Sequence, residues 1–434
     1  MRQVVRRRLS RPRLALGLAG LLLLALIVAA LVLPATYARP AAQVQAPLSV
    51  SGARAHQHVD VLAGQIGSRP AGSANYEQAV QDAVDQFRQW GYQPYLQTFP
   101  VETYDDRGSQ VTLTASGENV AATSLQYSPG GQVEAPLVSA GLGRPEDLTG
   151  LDLQGKIALV KRGGLRFSDK VDNVAAAGAV GVLVYNDSSG AVQGSLTGPG
   201  PIPAVTLSDT DGQHLLDLLA AGQAVVVRLT VDASIEQRSA TNVVADKPAR
   251  DPAARGVVVG AHLDSVPAGP GANDNGSGSA LVLELAQVLA TREEPFALHF
   301  ALFGAEELGL YGSRNYVDRL TDAERANTRA MINLDMVGVG QAWRFGGTDD
   351  LVQRALAVTS DMGERGLPLR GPQSGGSDHA SFLAAGVPAL FIYRVEDPNY
   401  HQAGDRAELV DPNALGEAGS IALNVLDSLG AEAQ

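Results

Sequence analysis

Residues 260–286, GAHLDSVPAGPGANDNGSGSALVLELA, place one His, two Asp and two Asn at the junction of two apolar runs. VVVGA before them reads as a buried strand, and SALVLELAQVLA after them as a buried helix. On a strand, His262 and Asp264 are two residues apart and share a face, while Asp274 lies in the loop before the helix. The pattern recurs further along. Glu306 and Glu307 follow ALHFALFGA, Asp335 ends AMINLD, and His401 comes shortly after ALFIYRV.

Taken singly, each has a plain structural explanation: a turn or cap for the Asp residues, a solvated helix start for the Glu pair, a structural imidazole for His401. Taken together, acids gathered at the ends of separate apolar strands repel one another unless something positive sits among them. The loops flanking these acids hold almost no Lys or Arg, which leaves a divalent cation as the counter-charge. His and carboxylate donors in a chain without Cys suit zinc, with manganese or cobalt as replacements. The set is large enough for two ions about 3.5–4 Å apart sharing one carboxylate. Because Glu306 and Glu307 are adjacent, their side chains diverge, so one can bind metal while the other acts on a water as general base.

The elements that must position these residues alternate regularly. GVVVGAHLD, a helix over 277–290, FALHFALFGAEE, a helix near 312–319, TRAMINLDMVG, a helix near 350–362 and PALFIYRV imply an α/β class. The expected form is a three-layer α/β/α domain with a mixed central sheet. Ligands of such sheets bind beyond the carboxyl ends of the strands, where all these acids and imidazoles fall. An amphipathic helix over 73–90 puts Tyr76, Ala79, Val80, Ala83, Val84 and Phe87 on one stripe. Residues 119–237 differ in texture, with short strands, Gly-rich turns and an Ala-rich helix. They read as a small α+β insertion that splits the larger domain into 55–118 and 238–430.

Six of the 33 basic residues fall in the first 13 positions, leaving 27 against 46 acids, a net −19 for the remainder. So acidic a body lacks the positive face that nucleic acid requires. After the basic leader 1–13, residues 14–33 carry no charge, enough for a transmembrane helix about 30 Å long. The Arg cluster would hold the leader in the cytoplasm and the body outside. Two expectations follow: a single-pass membrane anchor followed by a linker over 34–54, or a cleaved leader and a secreted protein.

The motifs GAHLDS, GANDNGSG, FGAEELGLYGS, NLDMVG, SDHASF and YHQAGD together resemble the co-catalytic zinc aminopeptidase family, which also includes glutamate carboxypeptidase and glutaminyl cyclase. GKIALVKRGG, KVDNVAAAGAVGVLVYN and IPAVTLS resemble a protease-associated domain, which would border the active site or serve as a spacer. The family resemblance implies two Zn²⁺ per chain, with His262 and Asp335 at one ion, Glu307 and His401 at the other, and Asp274 between them. It further implies Glu306 as general base, Asp264 as the residue orienting His262, and Tyr400 as a donor to the tetrahedral oxyanion. Ser377, Asp378 and His379 of SDH would shape the substrate pocket rather than form a triad. The activity implied is hydrolysis of the N-terminal residue of peptides. The alternatives are a zinc carboxypeptidase, for which Arg344, Arg370 and Arg394 are candidate carboxylate clamps, a glutaminyl cyclase, and a non-catalytic ectodomain.

Overall fold

The computed structural model describes residues 49–431 apart from 197, 252 and 370–375. The basic leader, the apolar run 14–33 and residues 34–48 of the expected linker lie outside the described residues. Among the described residues, no helix is long and apolar enough to cross a membrane. A helix, Gly52–Val59, begins inside the stretch expected as linker; its N-cap Ser51 accepts from the Arg54 amide. Arg54 also pairs with the buried Glu284 at 2.6 Å, a tertiary contact that composition does not signal.

The larger domain is built on β1 (Tyr95–Leu113), β2 (Val226–Lys247), β3 (Gly256–His262), β4 (Leu298–Phe303), β5 (Thr328–Leu334), β6 (Ala342–Gly347) and β7 (Ala389–Val395). Across the sheet they run β6-β7-β5-β3-β4-β2, with β1 against β2. The strands β7, β5, β3 and β4 are parallel, whereas β6 is antiparallel to β7 and β2 to β4. The sheet is therefore mixed, as expected. Successive residues of β3 enter different layers. Val257 and Val259 join the core with Leu281, Leu285 and Ile421, and Val258 joins the one with Phe303, Tyr316 and Phe382. Two covered faces explain the unbroken apolar run of this strand.

The helix expected over 73–90 is Ala74–Gln89; its N-cap is Ser73, and all six residues of the stripe are buried. His299, in the middle of β4, is half-buried. The register of β4 on β2 sets it opposite Asp246, whose carboxylate lies 2.7 Å from its Nδ1.

The insertion is joined through a long antiparallel ribbon, with β1 and β2 in register from Tyr95 opposite Val244 to Leu113 opposite Val227. At one end Phe99, Val101, Ala240 and Val243 belong to the core of the larger domain. At the other, Val111, Leu113, Val227 and Leu229 pack with Leu159, Leu183 and Val205 of the smaller one. The expected boundary near 237 falls within this ribbon, and the one near 118 just past its end at Leu113. Residues 102–110 are exposed or only partly buried, so the middle of the ribbon carries no apolar alternation.

The loop after β3 leads into helix Gly278–Leu289. At its first residue the backbone packs so closely on β5 that a Cβ on Gly278 would overlap the Leu334 carbonyl and the Asn275 side chain. Gly278→Ala is accordingly expected to destabilise the protein by about 1–3 kcal/mol, measured by denaturant unfolding. Unchanged stability would show that this approach can relax freely.

Candidate metal centre

The carboxyl ends of β3, β4, β5 and β7 converge on one hollow. His262 is buried at the end of β3, and its Nδ1 donates to the Asp264 carbonyl at 3.1 Å. That bond fixes the tautomer and turns the Nε2 lone pair toward the acids. Nε2 lies 3.2 Å from Asp274 Oδ1, 3.5 Å from Asp335 Oδ1 and 4.0 Å from Glu306 Oε2. On the other side, His401 Nε2 lies 3.2 Å from Asp274 Oδ2 and 3.1 Å from Glu307 Oε2. The two oxygens of Asp274 thus face two different imidazoles.

The acids are held by amides. Asp405, unassigned in the sequence reading although it closes the YHQAGD motif, accepts from the Asn273 and Asp274 amides at 2.7 and 3.0 Å. Asp264 meets His262 through its carbonyl and has a second part besides. Its carboxylate is 3.7 Å from His262 Nδ1 and accepts from the amides of Glu306 (3.1 Å) and Glu307 (3.3 Å). It therefore ties the Glu pair to β3, while its carbonyl orients the imidazole. Ser377 donates to Asp335 Oδ2 at 2.6 Å and accepts from Asn333, which makes it a carboxylate-positioning hydroxyl. The neighbouring Gly376 lines the substrate cavity. Ala305, Met336 and His401 adopt left-handed φ of 58°, 55° and 57°. Such backbone costs of order 1–3 kcal/mol per residue and persists where surrounding structure enforces it; each lies within one residue of a site side chain.

Arg69 was missed altogether. Its guanidinium is fully buried behind the hollow and donates to the carbonyls of Leu263, Pro270 and Gly271 at 2.7, 2.5 and 2.9 Å. It spans the loop between His262 and Asp274 and supplies the fixed positive charge that the local sequence lacks. Nothing in SRPAGS marks it, because burial of an Arg is decided by the chain that closes over it.

Even with Arg69, negative charge is in excess. Burial and the repulsion of Asp274 push the Glu307 carboxyl up to about 7. Burial, with Glu307, Asp378 and Asp335 close by, raises Glu306 well above the carboxylate range despite the opposing His262. Burial also lifts Asp378 to about 7. Burial disfavours charge on His401, yet Asp274 and Glu307 outweigh it and raise that imidazole to about 10. Asp274 is itself buried, but the two imidazoles hold it below its ordinary value. These are the electrostatics of a cation site. Donor atoms of His262, Asp274 and Glu307 lie within 4.8 Å of one another, as do those of His262, Glu306 and Asp335. Glu307 Oε1 and Asp335 Oδ1 are buried without a hydrogen-bond partner, as atoms reserved for a metal would be. The donor set and these orphaned oxygens fit two divalent ions.

A cavity of about 570 Å³ opens over the hollow. Tyr400, half exposed, lines it and stacks on His401 with ring centroids 3.8 Å apart. Of the three candidate clamps, Arg344 lines the cavity, Arg394 lies over Trp343 on the opposite face of the strand, and Arg370 is outside the described residues.

A hydrolase-type metal centre at the strand ends of a three-layer α/β/α domain is what fold and site define. The model of Peptidase family M28 matches residues 242–426, and that of the PA domain matches 133–215. Aminopeptidase YwaD of Bacillus subtilis (strain 168) is 32% identical over 415 residues, covering 90% of this chain and 87% of its own. The chain belongs to peptidase family M28. Among solved structures, an aminopeptidase from Aneurinibacillus sp. strain AM-1 superposes with a TM-score of 0.79 at 32% identity, over 88% of this chain and 94% of that one. BSAP, a zinc aminopeptidase from Bacillus subtilis, does so with 0.73 at 29% identity, over 88% and 96%.

Arg69→Met should destabilise the protein by about 3–5 kcal/mol, because it strands buried carbonyls and leaves the acids without their fixed counter-charge. Arg69→Lys should recover less than half of that, since an ammonium cannot span three carbonyls in the plane of a guanidinium. Equal unfolding midpoints for wild type and both variants would exclude this role.

Proposed function

We propose that this protein is a zinc-dependent aminopeptidase that removes N-terminal residues from peptides. The observation that carries this is Asp274, whose two carboxylate oxygens face two separate His–carboxylate groups, His262 with Asp335 and His401 with Glu307. His262 and Asp335 would hold one zinc ion, Glu307 and His401 the other, and Asp274 both. Bound there, the ions supply Lewis-acid charge that lowers the pKa of water and polarises the scissile carbonyl.

The chain's own residues do the rest. Glu306, set beside Glu307 by the Asp264 carboxylate, accepts a proton from the attacking water and returns it to the leaving amine. Tyr400 donates from its hydroxyl to the oxyanion that forms at the carbonyl. The acids in excess at the rim favour a protonated α-amine, which selects chain N-termini over internal peptide bonds. The PA domain over 133–215 is carried on the β1–β2 ribbon. The body acts outside the cytoplasm, on the strength of the Arg-rich leader and the uncharged residues 14–33 behind it.

Elemental analysis of the purified protein is expected to find about two zinc per chain, and about one in Glu307→Ala; equal content in both would remove the shared-carboxylate centre. Glu306→Gln should keep both ions yet lose about 10²–10⁴ in kcat on leucyl-p-nitroanilide. Full activity in that variant would assign the proton transfer elsewhere.

A further inference from the structure

Among the described residues, Arg344 is the only Lys or Arg lining the catalytic cavity. Its position follows from the sheet. In the antiparallel pair of β6 and β7, Arg344 stands opposite Tyr393 and Gly346 opposite Phe391, so these residues share the face that floors the cavity. The intervening Trp343 and Phe345 point to the core on the other face. Across β7 from Arg344, the Asp335 amide donates to the Ile392 carbonyl at 3.2 Å. Asp335 and Arg344 thus sit two strand spacings apart, about 10 Å between backbones. That distance is about the reach of one substrate residue from the metal hollow.

The surroundings of the guanidinium separate it from a structural arginine. Its one hydrogen bond within the described residues runs from Nη1 to the Trp343 carbonyl at 3.1 Å, and no carboxylate pairs with it there. A guanidinium has five N–H donors, so most of its capacity faces the cavity. Leu369, Phe391 and Tyr393 form the apolar wall around it. Two acids, Glu396 and Asp397, also line the cavity. Asp397 is engaged by the Asn273 side chain and the Asn399 amide, and Glu396 is exposed at the rim. The cavity is bipolar, with acids and imidazoles at one end and a single arginine on an apolar floor at the other.

We propose that Arg344 is the receptor for a substrate carboxylate, so that the enzyme favours peptides presenting one within the cavity. This rests on the aminopeptidase assignment of the same site. The carboxylate has two sources, an acidic side chain on the N-terminal residue or the free C-terminus of a dipeptide, and both would make charge-assisted bonds to the guanidinium.

The test compares matched pairs in which only the carboxylate is neutralised. These are glutamyl- against glutaminyl-p-nitroanilide, and Leu-Leu against Leu-Leu-amide, assayed with the full-length zinc enzyme. The wild type is expected to favour the acid in one pair by about tenfold to a hundredfold in kcat/KM, the scale of a hydrogen bond to a charged group. The pair that responds identifies the source. In Arg344→Met the acid-to-neutral ratio should fall to near one, and in Arg344→Lys it should be partly kept; the ratio is read in whichever variant folds. A wild type indifferent in both pairs, or a ratio unmoved by the substitution, would overturn the assignment of Arg344. Failure is distinguishable from that of the aminopeptidase reading itself, because a wild type inactive on leucyl-p-nitroanilide and on all four compounds would sink that reading, and this one with it.

Discussion

Asp274, Glu306, Glu307 and Asp335 are packed into one buried hollow with Asp264, Asp378 and Asp405 behind them, and that concentration of like charge is what the rest of the structure must accommodate. Without compensation such a group takes up protons instead of keeping charge, and the raised Glu306, Glu307 and Asp378 express this. Three devices answer it: a buried guanidinium at Arg69, backbone amides aimed at Asp264 and Asp405, and a geometry suited to divalent cations. None suffices alone. Arg69 uses its donors on carbonyls, and amides carry only partial charge.

The rigidity of the surroundings follows from the same requirement. A carboxylate whose two oxygens face two different imidazoles has to keep both in place, so Asp274 is pinned at its amide by Asp405 and followed by a helix seated tightly on β5. Asp335 is oriented by Ser377, and the Glu pair is tied to β3 through Asp264. Left-handed backbone at Ala305, Met336 and His401 marks where the chain turns sharply to point a side chain inward. Stiff parallel strands buried on both faces give these turns a fixed base.

The strands on the two sides of the central parallel set do different work. On one, β1 and β2 extend past the larger domain and carry the PA domain on a ribbon whose polar middle belongs to neither core. On the other, β6 and β7 leave a face open as the cavity floor, where Gly346 makes room and Phe391 and Tyr393 supply apolar surface. The acids and imidazoles gather at the central strands, and the cavity floor lies beside them on β6 and β7.

The gathering of acids and imidazoles at the strand ends was legible in the sequence because strand ends, turn residues and ligand types are local properties. His262, Asp274, Glu306, Glu307, Asp335 and His401 each follow an apolar run whose burial is written in its periodicity, and the α/β/α class follows from the alternation of those runs. The helix 74–89 and its buried stripe were legible for the same reason. What the sequence could not show depends on partners far along the chain. Arg69 reads as an ordinary loop cation until residues 263–271 close over it. Asp405 reads as a turn until it meets the amides of 273 and 274. The carboxylate of Asp264 also serves the Glu pair, beginning 42 residues on. The cavity face of Arg344 was decided by the register of β6 on β7, which no local pattern encodes. Residue types near strand ends declare the chemistry, whereas which donor meets which acceptor is settled only when distant segments pack.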